Sequence, residues 1–138
     1  MKFKIICTMI IVTIMNVSCM TLSESKQRTI ARQCGVLGVM MKDYEQTTII
    51  AQNPDIYYEK GTAEMFIGSH PSENRVRNYF LTRAAVHTAI SLTLPEKWAE
   101  VWQANALIDT ALCIMQNTDI GIESDMEINF RFTYTIPF

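Results

Sequence analysis

The dipeptide Leu94-Pro95 constrains this chain more than any other feature, because it joins two long helical patterns and leaves almost no loop between them. Proline disfavours helical geometry in the residue before it, yet suits the first turn of a new helix. Upstream, Val76, Phe80, Arg83, His87, Ile90 and Leu94 recur at steps of three and four, which is one face of a helix. Ser69 and Ser72 are its candidate N-caps, since a serine oxygen can accept from the open amides of a first turn. Ala84, Ala85, Thr88 and Ala89 fill much of the remainder and permit close packing on a second side. Downstream, Trp98, Val101, Asn105, Ile108, Leu112 and Met115 form a second stripe, with Glu96, Lys97, Glu100 and Gln103 lying off it. Helices joined so tightly are either folded back or sharply kinked, and the folded-back hairpin is expected. Tyr79 to Leu94 falls short of the roughly 20 residues a membrane span needs, and it contains Arg83. The second helix carries Asn105 and Asp109 in mid-course, so a soluble or surface-lying pair is expected.

The N-terminus carries a different signal. Lys2 and Lys4 precede an apolar run from Ile5 to Met15, the layout of a secretion signal and too short for an ordinary span. Asn16-Val17-Ser18-Cys19 follows, and a small residue before cysteine resembles a bacterial lipoprotein processing site, although Asn16 replaces the usual aliphatic residue. The expectation is a signal peptide over residues 1–18 and one small mature domain over residues 19–138, with Cys19 the lipidation candidate. Plain cleavage nearby and a retained membrane anchor are the alternatives. A chain of 138 residues can bury a core without staples, and 19% charged residues against 49% apolar ones argue against disorder. The net charge of −2 offers no basic footprint for nucleic acid.

Export makes the cysteines legible. Cys7 would leave with the signal and Cys19 would carry lipid, so Cys34 and Cys113 remain as the candidate disulfide, or else as two buried thiols. Two cysteines outside any C-x-x-C unit cannot close a zinc site, and neither a metal nor a cofactor is expected. Ile30, Cys34, Leu37 and Met41 mark an N-terminal helix, in which Gly35 and Gly38 either weaken the helix or admit a close backbone. Thr48 to Ala51 continue this helix or form a short strand, and Asn53-Pro54 ends the element. Ile56 to Ser72 reads as an ordered loop.

The series Asp43-Tyr44-x-Gln46-Thr47, Asn53-Pro54, Tyr58-Glu59, Gly68-x-His70-Pro71-Ser72, Tyr79-Phe80 and Leu94-Pro95 resembles a group of small uncharacterised bacterial and phage proteins. The resemblance runs from Asp43 onward. It implies a prophage or mobile-element origin and brings no activity with it.

The chain closes on strict alternation. Met126, Ile128, Phe130, Phe132, Tyr134 and Ile136 hold one parity, and Glu127, Asn129, Arg131, Thr133 and Thr135 hold the other. Period two with aromatic and β-branched residues predicts a half-buried strand, alone or in a hairpin with Ile120-Gly121-Ile122, laid over the helices. The expected fold is thus mainly α with a small β element. No catalytic motif occurs, so the chain is expected not to be an enzyme. Asp43, Glu59, His70 and His87 are the groups to watch for functional contacts; a small hydrolase or metal-dependent enzyme would need His70 or His87 beside Asp43 or Glu59. The expected role is instead that of an exported cell-envelope protein on the periplasmic side. It would bind an envelope protein and meet the membrane through a lipid or an apolar surface.

Overall fold

A computed structural model describes residues 22–60 and 62–122 of the chain. The signal segment, Cys19 and the alternating segment Met126 to Ile136 lie outside the described residues. Helix α1 runs over Glu24–Gln52, the single turn α2 over Glu64–Ile67, α3 over Glu73–Thr93 and α4 over Glu96–Asp119. Thr48 to Ala51 therefore continue the first helix. Among the described residues there is no strand, and no helix is long and apolar enough to cross a membrane.

The hairpin folds back as its sequence requires. Ser72 caps α3 by accepting from the Arg75 amide at 3.4 Å, and Leu94 leaves helical geometry (ψ 150°) ahead of Pro95. Pro95 in turn accepts from the Trp98 and Ala99 amides as α4 begins. Helix α1 is the common partner of both hairpin arms. Its N-terminal end is tied to the Leu94-Pro95 turn: Lys26 Nζ donates to Leu92 O at 2.8 Å, and Arg28 pairs with Glu96 at 3.0 Å. Further along, Asp43 meets Arg83, and Gln46 meets Thr118 and Ile122. Helix α1 is thus antiparallel to α3 and parallel to α4.

The seams of this bundle repeat at four and three, but many of their residues are polar. Thr29, Gln33, Val36, Met40, Asp43, Thr47 and Ile50 are all buried along α1. On α4 the inner line is Ala99, Gln103, Thr110 and Asn117, with Ala106 and Leu107 packed partly buried against α1. Apolar clusters fill the gaps: Val36, Leu37, Met40 and Ala84 in one, and Ala63, Ile67, Val76 and Phe80 in the other. Tyr44 and Tyr79 close on Phe80 edge to face, at 5.6 and 5.1 Å between ring centres.

Helix α4 turns its small and polar side inward. Its stripe of large apolar residues does not face the bundle: Trp98, Ile108 and Met115 are about 60% exposed (62, 60 and 61%), and Val101 and Leu112 are exposed as well. Small and polar residues occupy the inner face instead. At its end, Gly121 (φ 86°) donates to Thr118 O and Ile122 donates to Asn117 O, a left-handed glycine stop that satisfies the last carbonyls. Ile120-Gly121-Ile122 is consumed in this stop, which removes it as the second arm of a hairpin. Gly35 and Gly38 admit no close backbone either, since a Cβ at either position would meet nothing within 4 Å.

Candidate functional site

Two polar assemblies are built across the seams. The first is centred on Gln33 of α1. Its Nε2 donates to Thr88 Oγ1 at 2.9 Å, while its Oε1 lies 3.2 Å from His87 Nδ1 and 3.4 Å from Gln103 Nε2. An amide oxygen can only accept, so this network assigns the His87 proton to Nδ1. Gln103 completes its own set by donating to Thr29 O at 3.0 Å and accepting from Arg32 Nε at 3.1 Å. The His87 ring stacks on Trp102 at 5.1 Å and 18°, and its Nε2 is buried without a hydrogen-bond partner. Burial pushes the His87 pKa down; the Trp102 backbone opposes that shift and the Arg83 charge adds to it.

The second assembly is centred on Arg83 of α3, one turn from His87. Its Nη1 donates to Asp43 Oδ2 at 3.2 Å, and its Nη2 donates to Asp109 Oδ2 at 3.0 Å and Thr110 Oγ1 at 2.8 Å. The planar guanidinium thereby joins all three long helices, which an ammonium could not do with the same geometry. Asp43 is almost fully buried, and desolvation raises its pKa to about 7 even against the Arg83 charge. Glu59, in the connector after α1, is also raised to about 7, first by burial and then by the Asp43 and Glu64 charges. The Lys60 amide favours the Glu59 carboxylate, and the Thr47 hydroxyl stands close enough to do so without reaching hydrogen-bond geometry. Cys113 feels the same carboxylates, and burial with their charge pushes its thiol up to about 11.

Between α3 and α4 an open cleft of about 550 Å³ lies over these assemblies. Phe66, Tyr79, Val86 and Trp102 form its apolar walls, Met40 reaches it from α1, and Arg83 and Asp109 supply its charges. Phe66 stacks on Tyr79 at 5.6 Å and extends that wall from α2.

The four sequence-derived candidates divide accordingly. Asp43 and Glu59 are brought together, within electrostatic reach of each other. His87 lines the cleft but belongs to the Gln33 network, and no carboxylate is among the groups that shift it. His70 is exposed in the connector before α3, so the histidines and the buried carboxylates do not form one cluster. Among the described residues no group of His, Cys, Asp and Glu could hold a metal ion. Cys34 and Cys113 are both free. Cys34 adjoins Gln33, at the level of Gln103, whereas Cys113 lies at the level of Asp43. Nine residues of α1 between those levels amount to roughly 13 Å, against about 7 Å for a bridgeable pair.

The sequence placed Arg83, Gln103 and Asp109 on their helices but marked neither them nor Gln33 as site residues. Their signal is the four–three spacing of polar residues, which a search for apolar periodicity passes over. No protein-family model matches the chain, and no curated protein or solved structure is similar to it.

Proposed function

We propose that this is an exported, non-catalytic protein of the bacterial cell envelope that grips a partner protein at the cleft between α3 and α4. The cleft carries this reading. Its walls are apolar and aromatic, the surface that receives an anchoring side chain of another protein. Its charges, Arg83 and Asp109, are bonded to each other across the seam. A hydrolase of the kind weighed above would need His70 or His87 with Asp43 or Glu59 in one cleft, and of these only His87 lines it. Export to the periplasmic side rests on Lys2, Lys4 and the run Ile5 to Met15, and the lipid tether on Ser18-Cys19. A prophage origin rests on the resemblance from Asp43 onward. The C-terminal alternation belongs to the same reading as an amphipathic strand.

A photoreactive residue at Val86, on the cleft wall, tests the binding role against one at Ala85, exposed off the cleft on the same helix. In the native host, one defined envelope protein is expected to cross-link from Val86 and not from Ala85, and Trp102→Asp should abolish the adduct. Equal adducts from the two positions, or none from Val86, would overturn the cleft as a partner site. Export and lipidation are read separately, by intact mass. A mature chain beginning at an acylated Cys19 is expected, and an unmodified terminus would exclude the tether.

A further inference from the structure

Helix α4 places its large side chains on the wrong side for its own bundle. Trp98, Val101, Ile108, Leu112 and Met115 all lie on the side away from α1, opposite the inner line of Ala99, Gln103, Thr110 and Asn117. Scattered exposed apolar residues need no explanation, but a continuous stripe along a whole helix marks a surface that something covers.

We propose that the stripe is the seat of this chain's own segment Ile128 to Ile136, which lies along α4 in extended form and presents its apolar parity to the helix. Three observations support that occupant. The first is direction: the glycine stop at Gly121 turns the chain back at the C-terminal end of α4, and Gln46 holds the Ile122 carbonyl there at 2.9 Å. The second is reach. Ile122 is buried on the α1 side, so the chain must pass half-way round α4, roughly 16–19 Å at the girth of a helix with its side chains. The five residues Glu123 to Glu127 cover about 16 Å when extended. From there the stripe from Met115 back to Trp98 is about 25 Å long. Ile128 to Ile136 in extended form spans about 26 Å. The third is pattern: Ile128, Phe130, Phe132, Tyr134 and Ile136 share a face at every second residue, and equal lengths set them against the stripe from Met115 to Trp98 in that order. In this register Phe130 lies near Leu112 and Phe132 near Ile108, while Arg131 and Thr133 face water. The seat is on the outer side of α4, and the inference does not depend on what occupies the cleft.

The test places a photoreactive residue at Leu112 in the full-length protein, with a control at the exposed Asn78 of α3. Equal amounts of isotopically heavy and light chain are mixed before illumination, so that adducts within one chain are separated from adducts between copies. An adduct within one chain is expected from Leu112 to the peptide around Phe130, with none from Asn78. Phe132→Asp should abolish it and Thr133→Asp should retain it, with circular dichroism confirming that the helices survive in both. Mixed heavy–light adducts would show that a second copy covers the stripe, and would overturn the proposal. Adducts spread evenly over the chain, or absent, would overturn it too. The Val86 experiment decides the cleft separately, so failure of either reading is visible alone.

Discussion

Glu59→Gln should flatten the dependence of stability on pH and stabilise the protein above neutrality. In the folded chain the Glu59 carboxyl is held at about 7, against 4.5 when free, because burial and the charges of Asp43 and Glu64 disfavour its ionised form. Between those two values the folded state keeps a proton that the unfolded state has released. Stability from this group is therefore full below about pH 4.5 and is lost as pH rises toward 7. A shift of that size corresponds to roughly 3 kcal/mol, since one unit is worth 1.36 kcal/mol. Asp43, also at about 7, acts in the same direction. His87 acts against them: its lowered pKa withholds a proton from the folded state, so stability from it is lost as pH falls below about 6.5. The charged groups acting on Glu59 are Asp43 from α1 and Glu64 from α2, and Glu59 in turn acts on the Cys113 thiol of α4.

Urea unfolding from pH 4.5 to 8.5 measures the effect, and the difference between wild type and Glu59→Gln isolates one carboxyl from the other titrating groups. The wild-type curve should fall with rising pH on the alkaline side of its maximum. The variant should lose roughly half of that slope, because Asp43 remains. At pH 8.5 the variant should be the more stable protein. An amide of the same shape retains the side-chain volume, so a loss of packing would not mimic the result. A variant with the wild-type slope, or a wild type most stable above pH 8, would show that Glu59 is hydrated and would refute the electrostatic argument.

Gln33→Leu should cost roughly 2–4 kcal/mol by urea midpoint, because it takes one partner each from the buried His87 Nδ1, the part-buried Thr88 hydroxyl and the buried Gln103 amide. Arg83→Lys should cost about 1.5–3 kcal/mol, since an ammonium cannot reach Asp43, Asp109 and Thr110 together. Gly35→Ala, exposed in mid-helix with open space at its Cβ, should raise the thermal midpoint through a gain of about 0.5–1 kcal/mol. Thiol titration of the denatured, unreduced mature protein should find Cys34 and Cys113 both reactive.

The hairpin was legible because its signals are local. A serine cap, a three–four repeat and a Leu-Pro junction each act within a few residues, and the structure follows them at Ser72, along α3 and at Leu94. The site was half legible. Asp43 and Glu59 do meet, but nothing near either of them in the chain indicates that Arg83 lies between α1 and α4, because that depends on which face α4 turns inward. The disulfide expectation failed for the same reason. Export chemistry can pair two cysteines on paper, whereas helix register decides whether they share a level.

Why α4 turns its polar face inward can be decided by comparing magnitudes. Rotating it by half a turn would bury Ile108, Leu112 and Met115, a gain of about 1.5–3 kcal/mol each if all three became fully enclosed. The same rotation would remove Gln103 from Gln33 and Arg32, Asp109 and Thr110 from Arg83, and Thr118 from Gln46. Each buried group left without a partner costs about 1–3 kcal/mol, and more when it is charged. Gln33 and Gln46 would remain buried on α1 in either orientation, so their penalty has no escape to water. Size decides in the same direction. Ala99 and Ala106 let α4 approach closely, whereas Trp98 and Met115 in their places would overpack a seam already filled by Val36, Leu37 and Met40. Polar matching therefore fixes the orientation of α4, and in doing so leaves its apolar stripe free to bind a further segment.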